Sequence, residues 1–272
     1  NEEYESVVGN YAMQIDFQAD DSPVIVNNWV NDSTNGLIDS IVPEDKPLSP
    51  YVLIAINSIY LKARWQEQFK ESKTNLDSFY GSSSRTSQVS EAHFMNTVDY
   101  FDYSHKALPG YQVIDLPFAS SQMSMIFVLP MSDDSETVLS TEIIPVLDAL
   151  ESTRVALSVP KFKFESTYDD TLKEGLKQLG IEAPFTEGSG ALCGLFEDNR
   201  DCEKLVIEKI IQKTVIDVNE EGVEAAAVTA IMMMPTSIEP EDTNDSILMI
   251  IDHPFQFFIY DHDEELVLFE GR

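Results

Sequence analysis

Apolar segments of strand length dominate this sequence and limit the folds that it can adopt. Residues 51–65, YVLIAINSIYLKARW, are aliphatic and β-branched, which predicts a central strand covered on both faces. Further strands are predicted in VSEAHFMN, YQVIDLPF, MSMIFVLP, VALSVPKFKFESTYD, LVIEKIIQKTVIDVNEEG, SILMIID, FQFFIYD and LVLFEG. Helical patterns are few and do not alternate with the strands. The order of elements therefore predicts an α+β fold rather than a doubly wound parallel sheet.

Two segments carry helical signals. Residues 22–42 begin with Ser22 and Pro23, a capping residue and a first-turn proline, and an Asn-Gly pair interrupts the pattern later. Residues 169–180 place three leucines on one face and end at Gly180, a typical stop signal. We therefore expect a helix in each segment, the second of them amphipathic.

The charge of the chain narrows its choice of partners. Forty-eight acidic residues stand against seventeen basic ones, for a formal net charge of -31. Such a polyanion repels nucleic acid and anionic membranes, and it attracts cationic partners. High solubility is the alternative reason for so acidic a composition. No apolar run approaches the ~20 residues of a membrane-spanning helix.

Motifs for catalysis are weak throughout the sequence. Residues 188–194, GSGALCG, have the wrong spacing for a nucleotide-binding loop, and no serine stands in a G-x-S-x-G elbow. The four histidines are scattered, with no second ligand at metal-binding spacing, and His253 is expected in the core or a loop. We therefore predict no catalytic site, no cofactor and no metal. Cys193 and Cys202 could form a disulfide or remain two buried thiols.

The most unusual segment is GVEAAAVTAIMMMPTS, residues 222–237. It contains a single charge, Glu224, and acidic residues flank it on both sides. A helix here would lack a polar face, and a flexible linker would carry more Gly and Ser. A third interpretation is a loop that can become a buried strand, because its alternate residues are small and uncharged. Gly222 would then permit the sharp backbone change of a hinge.

The sequence resembles the serpin family. NEEGVEAAAVTA is similar to the hinge of the serpin reactive loop, and INSIYLKARW, LPFASSQMSMIFVLP, VPKFKFESTYDDTLKEGLKQLGI and DHPFQFFIYD also match serpin motifs in family order. The resemblance implies a serpin-like α+β fold, in which a large mixed β-sheet accepts the reactive loop as an extra strand. Smaller sheets and helices surround that sheet.

The resemblance implies a suicide inhibitor of serine proteases and, in some members, of cysteine proteases. The protease attacks the loop and forms an acyl-enzyme, and the cut loop inserts into the sheet with the protease attached. Counting from the hinge places the reactive bond at Thr236–Ser237, with Met234 and Pro235 before it. A small, uncharged Thr favours elastase-like or subtilisin-like proteases. A reactive bond shifted along the loop would make Met234 or Ser237 the recognised residue, and it would widen the choice toward chymotrypsin-like or other small-residue enzymes.

The resemblance also assigns a hinge and a sheet-opening region. The hinge comprises Glu220, Glu221, Gly222, Val223, Glu224, Ala225, Ala226 and Ala227. The sheet-opening region comprises Trp65, Lys161, Asn57 and Gln212, and Lys161 is expected to pair with Glu220. This chain departs from the family at two of these positions. Gln212 replaces a usual His, and Val223 replaces a usual Thr or Ser.

The remaining expectations concern organisation and location. Residues 1–272 are expected to form one serpin-like domain that lacks the family's N-terminal helices and last few residues. The intact protein is expected to be an extracellular monomer whose partner is a protease. A positive charge on that protease would favour its binding to so acidic a protein. One alternative is a non-inhibitory serpin relative with a binding or structural role, which the alanines of the hinge disfavour. The other alternative is an unrelated enzyme.

Overall fold

The computed structural model describes residues 13–34, 36, 38–46, 48–49, 51, 53–119, 121–195, 202–223 and 245–272. The chain divides into two compact units, unit 1 from Asn1–Tyr60 and Phe164–Val215, and unit 2 from Leu61–Lys163 and Ile216–Arg272. The elements are α1 (Ser22–Ser33), β1 (Ile54–Tyr60), β2 (Ala63–Arg64), β3 (Asn75–Tyr80), β4 (Gln88–Ser104), β5 (Tyr111–Pro117), β6 (Met123–Pro130), α2 (Ser140–Leu147), β7 (Glu151–Pro160), β8 (Phe162–Tyr168), α3 (Asp170–Gln178), β9 (Lys209–Asn219), β10 (Gly222–Val223), β11 (Ile247–Ile250), β12 (Gln256–Asp261) and β13 (Leu266–Gly271). The predicted α+β class is confirmed.

In unit 1, α1 covers a parallel pair of strands. β1 pairs with β9 from Ile54 opposite Lys209 to Tyr60 opposite Val215. A cluster of buried apolar side chains from α1, the segment after it and β9 forms the core of this unit. These side chains are Val26, Val30, Ile38, Ile41, Val42, Leu48, Ile211 and Val215.

The helix predicted from Ser22 ends at Ser33, just before the Asn-Gly pair that was expected to interrupt it, because side chains take over the backbone groups that follow. Thr34 donates its hydroxyl to the carbonyl of Val30 and accepts a hydrogen bond from the backbone of Ile38. The buried amide of Asn27 then accepts from the backbone of Ile41 and donates to the carbonyl of Val42. These local bonds compete with the helix and end it at Ser33.

The predicted helix at residues 169–180 is confirmed, but its leucines do not form a buried face. α3 runs Asp170–Gln178, and Gly180 follows it at φ +90°, as the predicted stop requires. Leu179 is 80% exposed, and α3 has no buried residue.

Cys193 and Cys202 form a disulfide, which decides between the two alternatives for this pair.

Unit 2 is built on an eight-stranded sheet in the order β11-β7-β4-β5-β6-β12-β13, with β3 also paired to β4. The pairs are antiparallel except that of β11 with β7. α2 packs against β5, β6 and β12 through a buried apolar cluster. Its members are Tyr111, Val113, Ile126, Val128, Val138, Ile143, Val146, Phe258 and Tyr260. The strands predicted in FQFFIYD and LVLFEG are β12 and β13, which form an antiparallel hairpin with its turn at residues 262–265.

Two long predicted strands are divided in the structure. Residues 51–65 form β1 and the short β2, and VALSVPKFKFESTYD forms β7 and β8 on either side of Lys161. Sequence patterns did not predict β3 or α2. Within the described residues, no helix is long and apolar enough to cross a membrane, and no three His, Cys, Asp or Glu side chains gather as metal ligands.

Candidate hinge and sheet-opening site

The predicted site residues fall partly inside and partly outside the described part of the chain. Glu224, Ala225, Ala226, Ala227, Met234, Pro235, Thr236 and Ser237 lie outside the described residues. The base of the hinge and the four sheet-opening residues are described. Asn57 and Gln212 belong to unit 1, whereas Trp65, Lys161 and the hinge base belong to unit 2, so the predicted set is divided between the two units.

The base of the hinge is a tight antiparallel turn, which we call the hinge hairpin (residues 218–223). β9 ends at Asn219, Glu220 and Glu221 form the turn, and β10 returns alongside β9. β10 also pairs on its other side with β2, where Gly222 lies opposite Arg64 and Val223 opposite Ala63. The hinge hairpin therefore begins a strand that already has a neighbour on each side.

Gly222 is required here by a close backbone approach. Its φ is +155°, and a Cβ at this position would overlap the carbonyl oxygen of Ala63 and lie 2.6 Å from Cα of Arg64. Both are backbone atoms, which cannot move aside as a flexible side chain can. The sequence predicted a glycine for conformational freedom, and the structure shows that the space beside β2 excludes any side chain.

Trp65 fastens the hinge hairpin to the core of unit 2. Its indole Nε1 donates to the carbonyl of Asn219 at 2.8 Å, and its backbone N–H donates to the carbonyl of Glu221 at 2.9 Å. The ring stacks on Phe118 with centroids 5.1 Å apart and meets Phe69 edge-on. Only 2% of Trp65 is exposed. A buried indole N–H needs an acceptor, and the end of β9 provides it.

Glu220 is the charged centre of the hinge hairpin. Its carboxylate accepts from Lys161 Nζ at 2.7 Å and from Thr74 Oγ1 at 2.8 Å, and its carbonyl accepts from the backbone of Phe69. The residue is 7% exposed. Burial alone would raise the pKa of Glu220, but the hydrogen bonds from Lys161 and Thr74 outweigh it and lower the pKa. The expected contact between Lys161 and Glu220 is therefore present, and it is largely buried on the Glu220 side.

In unit 1, Asn57 and Gln212 face each other across β1 and β9. They are directly paired in the parallel register, and Asn57 Nδ2 donates to Gln212 Oε1 at 3.3 Å. The next residue, Lys213, points to the opposite face, where its buried ammonium contacts Glu165 Oε1 at 2.5 Å and the carbonyl of Ser40 at 2.6 Å. Separation of β1 from β9 would break the amide contact without directly breaking the contacts of Lys213.

Sequence reasoning missed several residues that complete the site. Thr74 and Phe69 hold Glu220, Phe118 supports Trp65, and Lys213 anchors the centre of β9. Each of these residues lies far from its partner along the chain. Only Lys213 carried a signal, because a lysine inside an apolar strand must find acceptors when the strand is buried.

A family model described as Serpin (serine protease inhibitor) matches residues 1–272. The chain belongs to the serpin family. This serpin is 31% identical over 281 residues to the leukocyte elastase inhibitor of Equus caballus, which covers 98% of this chain and 70% of the relative. It is also 31% identical to intracellular coagulation inhibitor 2 of Tachypleus tridentatus, over 91% of this chain and 58% of that protein.

The comparison with solved structures gives the same fold. The crystal structure of Serpin48, described as a highly specific serpin of the insect Tenebrio molitor, superposes with a TM-score of 0.74. The sequences are 29% identical, and the match covers 100% of this chain and 71% of the other. This serpin chain spans about three fifths of the length of the first curated relatives that it matches.

Proposed function

We propose that the intact protein is a serine-type endopeptidase inhibitor that acts as a suicide substrate. In this proposal a protease attacks the loop at Thr236–Ser237 and forms an acyl-enzyme. The loop then inserts as a strand between β1 and β9 and carries the bound protease with it. Membership of the serpin family and similarity to named inhibitors support the general class of activity.

The register of the hinge hairpin is the observation that carries the proposal. β10 runs antiparallel to β9, with Gly222 opposite Asn219 and Val223 opposite Val218. Each further loop residue added in this register meets the next residue toward the start of β9. Counting on in this way brings Thr229 opposite Gln212, the residue that pairs with Asn57 in unit 1. A threonine hydroxyl can exchange hydrogen bonds with both amides.

The other face of the inserted strand also agrees with its surroundings. In the same register Ala226 would meet Val215, and Ala230 would meet Ile211. Val215 and Ile211 are buried in the cluster beneath α1. Small apolar side chains can enter such a face with little displacement of its neighbours, whereas a charged one would be buried without a partner. Residues 225–234 carry no charge, which supports the proposed insertion.

Backbone hydrogen bonding favours the inserted state. A strand of residues 224–232 would pair about eighteen backbone groups, one donor and one acceptor for each residue. Insertion would break the direct β1–β9 ladder, which spans seven register positions. The net gain is about ten hydrogen bonds at roughly 1 kcal/mol each, enough to make insertion irreversible in practice.

We propose elastase-like or subtilisin-like enzymes as targets. Thr236 is small and uncharged, Met234 and Pro235 precede it, and the net charge of -31 would steer a cationic protease toward the loop. The similarity to a leukocyte elastase inhibitor supports an elastase-like target.

We also propose that residues 1–272 act as one serpin-like domain and that the intact protein is a monomer outside the cell. The Cys193–Cys202 disulfide fits an oxidising compartment.

The test is to mix the intact protein with an elastase-like serine protease and analyse the products on a denaturing gel. We expect a complex that survives denaturation and cleavage that maps to Thr236–Ser237. Ala226→Arg would place a charge on the buried face of the inserted strand, so we expect cleavage without a complex. Thr243→Arg is the matched control: it adds the same charge, but beyond the reactive bond and outside the inserted strand, so the complex should still form. Wild-type cleavage without a complex, and without a gain in heat stability, would instead favour the non-inhibitory binding or structural role.

A further inference from the structure

Unit 2 contains a cavity of about 260 Å³ beside Trp65, which we call the Trp65 cavity. Its walls combine aromatic and acidic side chains, and among the described residues no Lys or Arg lines it. The walls include the side chains of Trp65, Phe69, Tyr100, Asp102, Asp115 and His262. The nearby Arg154 lies opposite Tyr100 in the β4–β7 register but does not line the cavity. Asp102 is exposed to solvent, whereas Asp115 is buried, and a buried acid is normally paired with a base.

Two of the acids are held next to each other by the sheet. Asp102 on β4 lies directly opposite Asp115 on β5 in the antiparallel register, so both side chains project to the same face. Like charges in this arrangement repel and destabilise the pair. Glu67 adds a third acid to the lining. A cation bound among them would remove this repulsion.

Asp115 has an unfilled hydrogen-bonding position. The residue is more than nine-tenths buried, and its Oδ2 lies 3.4 Å from His262 Nε2. Within the described part of the chain its Oδ1 is buried and accepts no hydrogen bond. A buried carboxylate oxygen without a donor is costly, and it marks a position that a ligand donor would satisfy.

His262 supplies only part of the missing positive charge. Its hydrogen bond to Asp115 raises the pKa of His262, and the charges of Asp115, Asp261 and Asp102 raise it further, against the opposing effect of partial burial. Nε2 of His262 is also within 2.9 Å of Ser124 Oγ, so it is shared between two partners. The direction of the pKa shift shows that the negative potential at this end of the cavity attracts positive charge.

We propose that the Trp65 cavity binds a guanidinium group, with its N–H donors directed at Asp115 and Asp102 and its plane against the aromatic walls. A guanidinium carries five donors in a rigid plane and stacks on aromatic rings, whereas an ammonium is a compact, strongly hydrated charge. The ring of Tyr100 is 66% exposed and is accessible to such a ligand. The group could belong to a free small molecule or to an arginine side chain of a protein. The proposal is independent of protease inhibition.

Trp65 provides a spectroscopic probe for the test. Residues 1–272 contain two tryptophans, so Trp29→Phe leaves Trp65 as the only indole emitter within this part of the protein. We would titrate this variant of the intact protein at millimolar concentrations with argininamide and with citrullinamide, which has the same α-amino group but an uncharged side chain. A capped pentapeptide with a central arginine, and its citrulline version, would be titrated in parallel. We expect a saturable change in Trp65 fluorescence with the guanidinium ligands alone. Response to the peptide but not to argininamide would identify an arginine side chain as the ligand.

Matched acid variants separate the cavity from the overall negative charge. Asp115→Asn and the more exposed Asp102→Asn should each weaken binding about tenfold or more, because each removes a charged acceptor. Asp99→Asn makes the same charge change on β4 without lining the cavity and should bind as the parent does. Circular dichroism would verify the fold, and Asp102→Asn keeps the test valid if Asp115→Asn does not fold. Equal responses to arginine and citrulline, or equal binding by all three variants, would overturn the proposal.

Discussion

Replacing Gly222 by Ala is the most direct test of the geometry of the hinge hairpin. The new Cβ would collide with the backbone of Ala63 and Arg64, so β10 must separate from β2. The change would strain a backbone at φ +155°, at about 1–3 kcal/mol, and would lose about two hydrogen bonds at roughly 1 kcal/mol each. Val223, which is fully buried, would also become partly exposed. We therefore expect the free energy of unfolding to fall by about 3–5 kcal/mol.

Urea unfolding followed by Trp65 fluorescence, in the Trp29→Phe background, would measure this effect. Trp65 bonds to the carbonyls of Asn219 and Glu221, so its emission reports on the hinge hairpin itself. Gly175→Ala is the matched control, because nothing lies within 4 Å of a Cβ there and α3 should gain about 0.5–1 kcal/mol. A Gly222→Ala variant that unfolds within about 0.5 kcal/mol of its parent would refute the close approach to Ala63.

Four further outcomes are expected. Lys161→Met should destabilise the protein by about 2 kcal/mol in denaturant unfolding, since it removes a hydrogen bond to the buried charge of Glu220. The lowered pKa of Glu220 contributes stability that is present above the ordinary carboxyl value of 4.5 and is lost as pH falls through the folded pKa. Glu220→Gln should remove this pH dependence from the free energy of unfolding. Nuclear magnetic resonance titration should give His262 a pKa above 6.5, and this pKa should fall in Asp115→Asn. The raised pKa of His262 contributes stability that is present below pH 6.5 and is lost as pH rises through the folded pKa. Phe258→Ala should cost about 3–5 kcal/mol, measured by thermal and denaturant unfolding, because the side chain is fully buried against α2.

Sequence patterns predicted the elements whose residues are buried on both faces. β6 and β12 are nearly all buried, and a strand covered on both faces is read as a continuous apolar run. β3 lies at the opposite extreme, since NLDSFY is half polar and has no buried residue, and its pairing with β4 makes it a strand. α2 was missed because it has eight residues and contains Pro145, which normally interrupts a helix.

The candidate site shows the same division between local and long-range information. Trp65, Lys161, Asn57 and Gln212 were identified from family motifs, but their contacts were not all predictable. The carboxylate of Glu220 is held by Thr74, 146 residues away, and no local pattern encodes that contact. Gly222 was expected for its flexibility, whereas the structure requires it for the proximity of Ala63. Residue identity at a hinge can thus be predicted before the reason for it is known.

The fixed base of the hinge bears on how the proposed insertion would proceed. The contacts of Glu220 with Lys161 and Thr74 lie at the turn, and β10 already has its antiparallel register on β9. Insertion in that register adds residues beyond Val223 and breaks none of these contacts. The hinge hairpin would therefore serve as a nucleus that is the same before and after cleavage, and the costly step would be the separation of β1 from β9. On this argument Lys161→Met should lower stability in both the uncut and the cut protein. Ala226→Arg should leave the stability of the uncut protein unchanged and abolish the gain in heat stability that follows cleavage.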